Sequence, residues 1–181
     1  MLLKLTKICG FICVFLSVSG LTYAQSSAIP EEIKKAATIK VPEDWLWITK
    51  RKYEAATGGA FVCVKPGGKS VLAIQVTPHV YASLGQDAVK IFANSVRDGY
   101  VKGKTKSGGV GSVSPLMEAA QPFANTWTFE DFSPAASNLR ASYVKSYILS
   151  CPRTVVVNCI SDSQEGLRQL ADIVESITTP Q

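Results

Sequence analysis

A single histidine, His79, stands among the 181 residues, and that scarcity removes a good deal of chemistry. Metal centres built on several histidines are excluded, and no two of Cys63, Cys151 and Cys159 have the close spacing of a zinc finger. A serine or cysteine nucleophile would have to take His79 as its base, yet no serine sits in a G-x-S-x-G frame; Gly109 to Ser112 reads Gly-Val-Gly-Ser. His79 beside Pro78 reads most simply as a surface or half-buried polar residue, so a hydrolase centred on it is the least favoured function. Paired carboxyls are also scarce. Glycoside cleavage needs two at a fixed separation across a sugar, and Glu43-Asp44 and Glu130-Asp131 are only chain neighbours. Along a strand, neighbours point to opposite faces, so Glu130 and Asp131 are expected to be solvated charges.

Phosphate cradles are missing too. Gly68-Lys69-Ser70 has the end of a phosphate-loop motif, but Cys63 stands where its first glycine belongs, and Val71 opens a strand instead of a helix. A hairpin turn is the expected role. Gly109-Val110-Gly111 has no following helix to offer its N-terminal amides to a dinucleotide. No cofactor is expected. A dense basic stripe is absent as well: the formal charge is +5, and without Lys4 and Lys7 of the N-terminal segment 17 basic side chains face 14 acidic ones, a net of +3. That balance suits weak attraction to acidic surfaces and argues against nucleic acid.

What is present begins with a leader. Met1 to Ala24 has a basic start at Lys4 and Lys7, an apolar stretch from Ile8 to Val18, and the small-residue pattern Thr22-Tyr23-Ala24. This is the layout of a secretory signal peptide, with cleavage expected between Ala24 and Gln25. The apolar run is short for a hydrocarbon core of about 30 Å, so no stable membrane anchor is expected after processing. Cys9 and Cys13 follow isoleucines and not the small residues of a lipid-modification site. The mature chain, residues 25–181, is then a single domain in the periplasm or secreted, where disulfides are permitted. It keeps Cys63, Cys151 and Cys159, enough for one bridge. Cys151 and Cys159 lie roughly 20 Å apart if a turn falls at Cys151-Pro152-Arg153. Cys63 with Cys151 or Cys159 is therefore the expected pairing, against the alternative of three buried thiols packed as small hydrophobes.

Pro30 to Ala37 is expected to be a short helix after a loose lead at Gln25 to Ala28, with Pro30 at its first position, acids in its first turn and lysines in its last. Trp47–Ala55, Ala60–Lys65 and Val71–Val80 read as strands punctuated by Gly58-Gly59 and Pro66-Gly67-Gly68. A helix follows, with Ser83 and Gln86 spaced as a capping box, Ala88, Ile91, Phe92 and Val96 as its inward face, and Gly99 as its stop. Lys102 to Gly111 reads as a basic, glycine-rich loop. Val113–Ala120 and Asn125–Phe132 are further strands, with Trp127 and Phe129 on one face. The final hairpin carries apolar residues on both faces: Tyr143, Tyr147 and Leu149 against Val144 and Ile148, then Val155 and Val157 against Val156 and Ile160. Such a sheet is expected to be covered on both sides. One cover is a terminal helix with Asp162 and Glu165 as cap and return partner and a stripe of Leu167, Leu170, Ala171, Val174 and Ile177.

This order resembles the PsbP-like fold family. Ile39-Lys40-Val41-Pro42-Glu43-Asp44-Trp45 before the first strand, the Asp87-Ala88 helix, Tyr143-Val144-Lys145 in the penultimate strand and Val174-Glu175-Ser176-Ile177 at the end carry the resemblance. It implies an α+β fold, an antiparallel sheet with helices on both faces (an α/β/α sandwich), and a family that mostly binds proteins or serves as an adaptor. No catalytic residues come with it. The expected function is a non-enzymatic, protein-binding module of the envelope, such as an immunity or adaptor protein for a secreted toxin. Its interface would be drawn from Lys50, Lys52, Lys102, Lys104 and Lys106. The alternative is a carrier of a small apolar ligand or lipid, with a pocket lined by Tyr143, Tyr147 and Trp127.

Overall fold

In the computed structural model the described residues are 24–49, 60–77, 84–106, 108–109, 111–133, 142–151 and 153–180. Eight strands form one antiparallel sheet in the order β1-β2-β3-β4-β8-β7-β6-β5. They are β1 (Ala24–Ser26), β2 (Leu46–Thr49), β3 (Ala60–Val64), β4 (Val71–Val76), β5 (Met117–Ala119), β6 (Thr126–Ser133), β7 (Ser142–Ser150) and β8 (Thr154–Ser161). Three helices accompany them: α1 (Glu31–Ala36), α2 (Gln86–Lys106) and α3 (Gln164–Glu175). The fold is α+β. Strands adjacent in the sheet are also sequence neighbours except where β4 meets β8, the pairing that joins the two halves of the sheet.

Side chains sort by the two-residue period of the strands. Trp47, Phe61, Cys63, Leu72, Ile74, Tyr147, Leu149, Val155, Val157 and Cys159 form one cluster with Ile33 and Ala36 of α1 and with Leu170 and Val174 of α3. Alternate residues Phe129, Ile148 and Val156 face the other way and pack on Phe92 and Ala93 of α2. The expected sorting of β7 and β8 is seen, and so is the α3 stripe.

Several elements depart from expectation. The lead is not loose: Ala24 to Ser26 pair with Thr49 to Trp47 as an edge strand, because β2 offers an otherwise unpaired backbone edge. Pro30 is the residue before α1, not its first. β2 is described only to Thr49, and the capping residue Ser83 lies outside the described residues, as does Pro78. The α3 cap is Ser163, whose Oγ accepts from Gly166 N at 3.1 Å, while Asp162 pairs with Lys69 at 3.0 Å. Of the expected strand 113–120, β5 and one bridge from Val113 to Asp131 are formed. Helix α2 does not stop at Gly99. An interior glycine costs only about 1 kcal/mol relative to alanine, and the inward positions Val89, Phe92, Ala93, Val96 and Tyr100 carry the helix past it. Its face is turned from the expected one, with Ile91 exposed.

No disulfide forms. Cys63, Cys151 and Cys159 are free and buried. Cys63 is opposite Leu72, which is opposite Cys159, so the two lie two strand spacings apart, about 9.6 Å against the roughly 7 Å that a bond tolerates. Cys151 lies beyond Ser150, which pairs with Thr154 at the far end of β8, about 17 Å along the strand from Cys159.

Candidate functional site

Of the lysines expected to form a basic interface, Lys50 and Lys52 lie outside the described residues, as does His79. Lys102 and Lys106 are exposed, but on the last turns of α2 and not on a loop. Lys104 is not at the surface. It stands one turn beyond Tyr100 on the inward face, and its Nζ meets Asp131 Oδ1 at 2.5 Å, with the two side chains 9% and 0% exposed. Asp131, expected to be solvated, also accepts from Tyr100 OH at 2.8 Å and from Ser133 Oγ at 3.2 Å. β6 turns it inward because it shares the parity of Trp127 and Phe129. Three protein donors converge on the carboxylate, two of them from α2, so this cluster fastens α2 to the sheet. The 89-93-96-100-104 spacing runs straight through Gly99 and was the available signal for it.

A different surface emerges on the opposite face. Helix α3 packs on β8 and β7, and Phe123, from the connection after β5, closes the Thr126 end of β6. Beyond it on that face Thr128 is buried, while Glu130 and Phe132 are exposed. There Phe132 and its cross-strand partner Tyr143 stack with ring centroids 4.5 Å apart and planes 25° from parallel. Phe132 is 46% exposed and Met117, opposite Thr128 on the same face, is equally so. Two residues along, Glu130 faces Lys145, whose Nζ is 3.6 Å from Glu130 Oε1 and 3.8 Å from Glu175 Oε1 of α3. Lys145 Nζ also lies 5.1 Å from the centre of the Tyr147 ring. Tyr147 OH donates to Glu175 Oε1 at 2.9 Å. Burial raises the Tyr147 phenol, and the Glu175 carboxylate beside it raises it further, so it serves as a neutral donor that holds Glu175 in place. The result is a ledge of two stacked rings and a methionine beside an anion-rich charge group.

Other features carry less. Leu84 and Ile91 are more exposed still, but they stand two helical turns apart, and singly scattered apolar residues are normal on a surface. A depression of about 330 Å³ lined by Ile29, Lys34, Ala37, Thr38 and Ile39 beside α1 has no convergent polar groups. The carrier pocket fails on geometry, because Tyr147 and Trp127 belong to clusters on opposite faces of the sheet. Among the described residues no group of three or more histidine, cysteine or acidic side chains is placed to hold a metal, and no helix is long and apolar enough to cross a membrane. Sequence reasoning misses the Phe132-Tyr143 ledge because it depends on the cross-strand pairing of Phe132 with Tyr143, which is not local in sequence.

No protein-family model matches the chain, and no curated protein does either. The PsbP-like resemblance thus rests on element order and the few residues named for it. Among solved structures the chain is similar to LpqN, described as involved in cell envelope biogenesis of Mycobacterium tuberculosis, at 16% identity over 78% of this chain and 82% of that one. The TM-score is 0.33.

Proposed function

We propose that this chain is an exported, non-enzymatic protein-binding module of the cell envelope, and that it binds through the open face of β6 and β7. The leader supports export. The observation that carries the binding reading is the half-exposed Phe132-Tyr143 stack, with Met117 exposed farther along the same face beyond Glu130, since aromatic residues and methionine are enriched at interfaces and supply their anchors. The interface moves from the lysines to this ledge because Lys104 is engaged in the interior. An immunity or adaptor protein is the concrete form of the proposal.

A photoreactive phenylalanine analogue at position 132 of the mature chain tests it. In envelope extract, we expect one discrete protein adduct, competed away by unlabelled chain but not by a Phe132→Ser variant. Irradiation with the analogue at Ile91 serves as the control. Adducts from position 91 but not 132, or a small molecule that co-purifies stoichiometrically, would overturn the proposal.

A further inference from the structure

We infer that the partner presents an arginine to this face, its guanidinium laid over the Phe132-Tyr143 stack and its fork paired with Glu130. The inference rests on the interface proposed above and adds the chemistry of what is bound. The chain as a whole is basic, yet this face is not: Glu130 and Glu175 are 51% and 41% exposed, and the cation between them, Lys145, is 24% exposed. Lys145 is shared at 3.6 and 3.8 Å, longer than the roughly 2.7–3.2 Å of a direct N–H···O bond. A carboxylate has about four acceptor positions, so Glu130 keeps capacity for a second cation.

The spacing selects the cation. Glu130-Lys145 and Phe132-Tyr143 are cross-strand pairs two residues apart on one face, about 6.6 Å along the strand. A planar guanidinium stacks on an aromatic face while its N–H groups reach a neighbouring carboxylate; a lysine ammonium is a compact, strongly hydrated point that does the second but not the first. An apolar residue next to that arginine would reach Met117, on the other side of Glu130. The same carboxylates repel phosphate, which excludes an anionic lipid surface or nucleic acid as the occupant of this face.

Two acetylated and amidated pentapeptides, one with arginine and one with lysine at the centre between leucines, test this by amide chemical shifts of the mature chain. The arginine peptide is expected to move the amides of residues 130–132 and 143–145. It should bind about threefold or more tightly than the lysine peptide, the scale of the exposed guanidinium–aromatic contact that only arginine makes. Glu130→Gln and Phe132→Ala should each weaken it by a similar factor. Their thermal midpoints should stay near wild type, since both side chains are substantially exposed. Equal binding of the two peptides, or shifts that persist unchanged in Glu130→Gln or map elsewhere, would overturn the inference. So would concentration-dependent shifts of these amides without peptide, which would mark a second copy of the chain as the occupant. If position 132 still captures a protein while the arginine preference is absent, the interface stands and the arginine does not; if neither is seen, both fall.

Discussion

Lys104 and Asp131 are ordinary surface residues by type, placed inside by the helical and strand periods. Removing both charges from water costs several kcal/mol each, and the cost is met only because Asp131 gathers Lys104, Tyr100 and Ser133. Breaking such a pair from one side is worse than lacking it. Asp131→Asn should leave a buried ammonium without its counter-charge and lower stability by about 3–5 kcal/mol, read as a fall in the urea midpoint at unchanged slope. Replacing the group by apolar residues, Lys104→Met with Asp131→Leu and Tyr100→Phe, should recover most of that loss. If Asp131→Asn costs no more than the ~1 kcal/mol upper range of surface ion pairs in general, the cluster does not fasten α2.

The elements are held by small contacts that residue type alone conceals. Gly166 lies in the first turn of α3, pressed against the end of β8. A Cβ there would overlap Ser161 Oγ and come within 2.7 Å of Ser70 Oγ, two hydroxyls already bonded to each other at 3.0 Å. Gly166→Ala should therefore destabilise by about 1–3 kcal/mol, although alanine is favoured by about 1 kcal/mol in an unconstrained helix. Thermal unfolding checks it, and Ser161→Ala in the same chain should return part of the loss. The order of strands and helices, the two faces of the last hairpin and the buried stripe of α3 were legible because long periodic patterns fix them. Gly99 misled because a helix end was inferred from one residue while tertiary contacts at Tyr100 and Lys104 continued the helix. β1 was illegible because a three-residue edge strand is created by its neighbour's free edge. The Phe132-Tyr143 ledge needed the β6-β7 register and the limit of α3 cover, neither of which is local in sequence.

For the whole molecule, the consequence of one large core on the α1 and α3 side is that the three thiols among the described residues are shut inside it. Burial pushes Cys63 and Cys151 up to about 12 from the ordinary 9.0, with a backbone hydrogen bond at Val64 opposing slightly for Cys63, and raises Cys159 as well. A thiol must ionise to react, so the folded chain should withstand an oxidising compartment without a disulfide. A thiol reagent at pH 8 should find none of the three in native protein and all three after denaturation. The same shifts fix a pH dependence of stability. Below about pH 9 the thiols are protonated in both states and no stability is lost; above it the unfolded chain releases protons that the fold retains, so the unfolded state gains and stability falls. The decline should run from about pH 9 to about 12 and approach a slope of ~1.4 kcal/mol per pH unit for each thiol held neutral. Urea unfolding under reducing conditions across that window measures it, and Cys159→Ala should lower the slope by the share of one thiol, ~1.4 kcal/mol per pH unit, while the raised Tyr147 phenol keeps its own share. An unchanged slope in that variant, or rapid thiol reaction of the native chain, would show that the core opens far more readily than its packing implies.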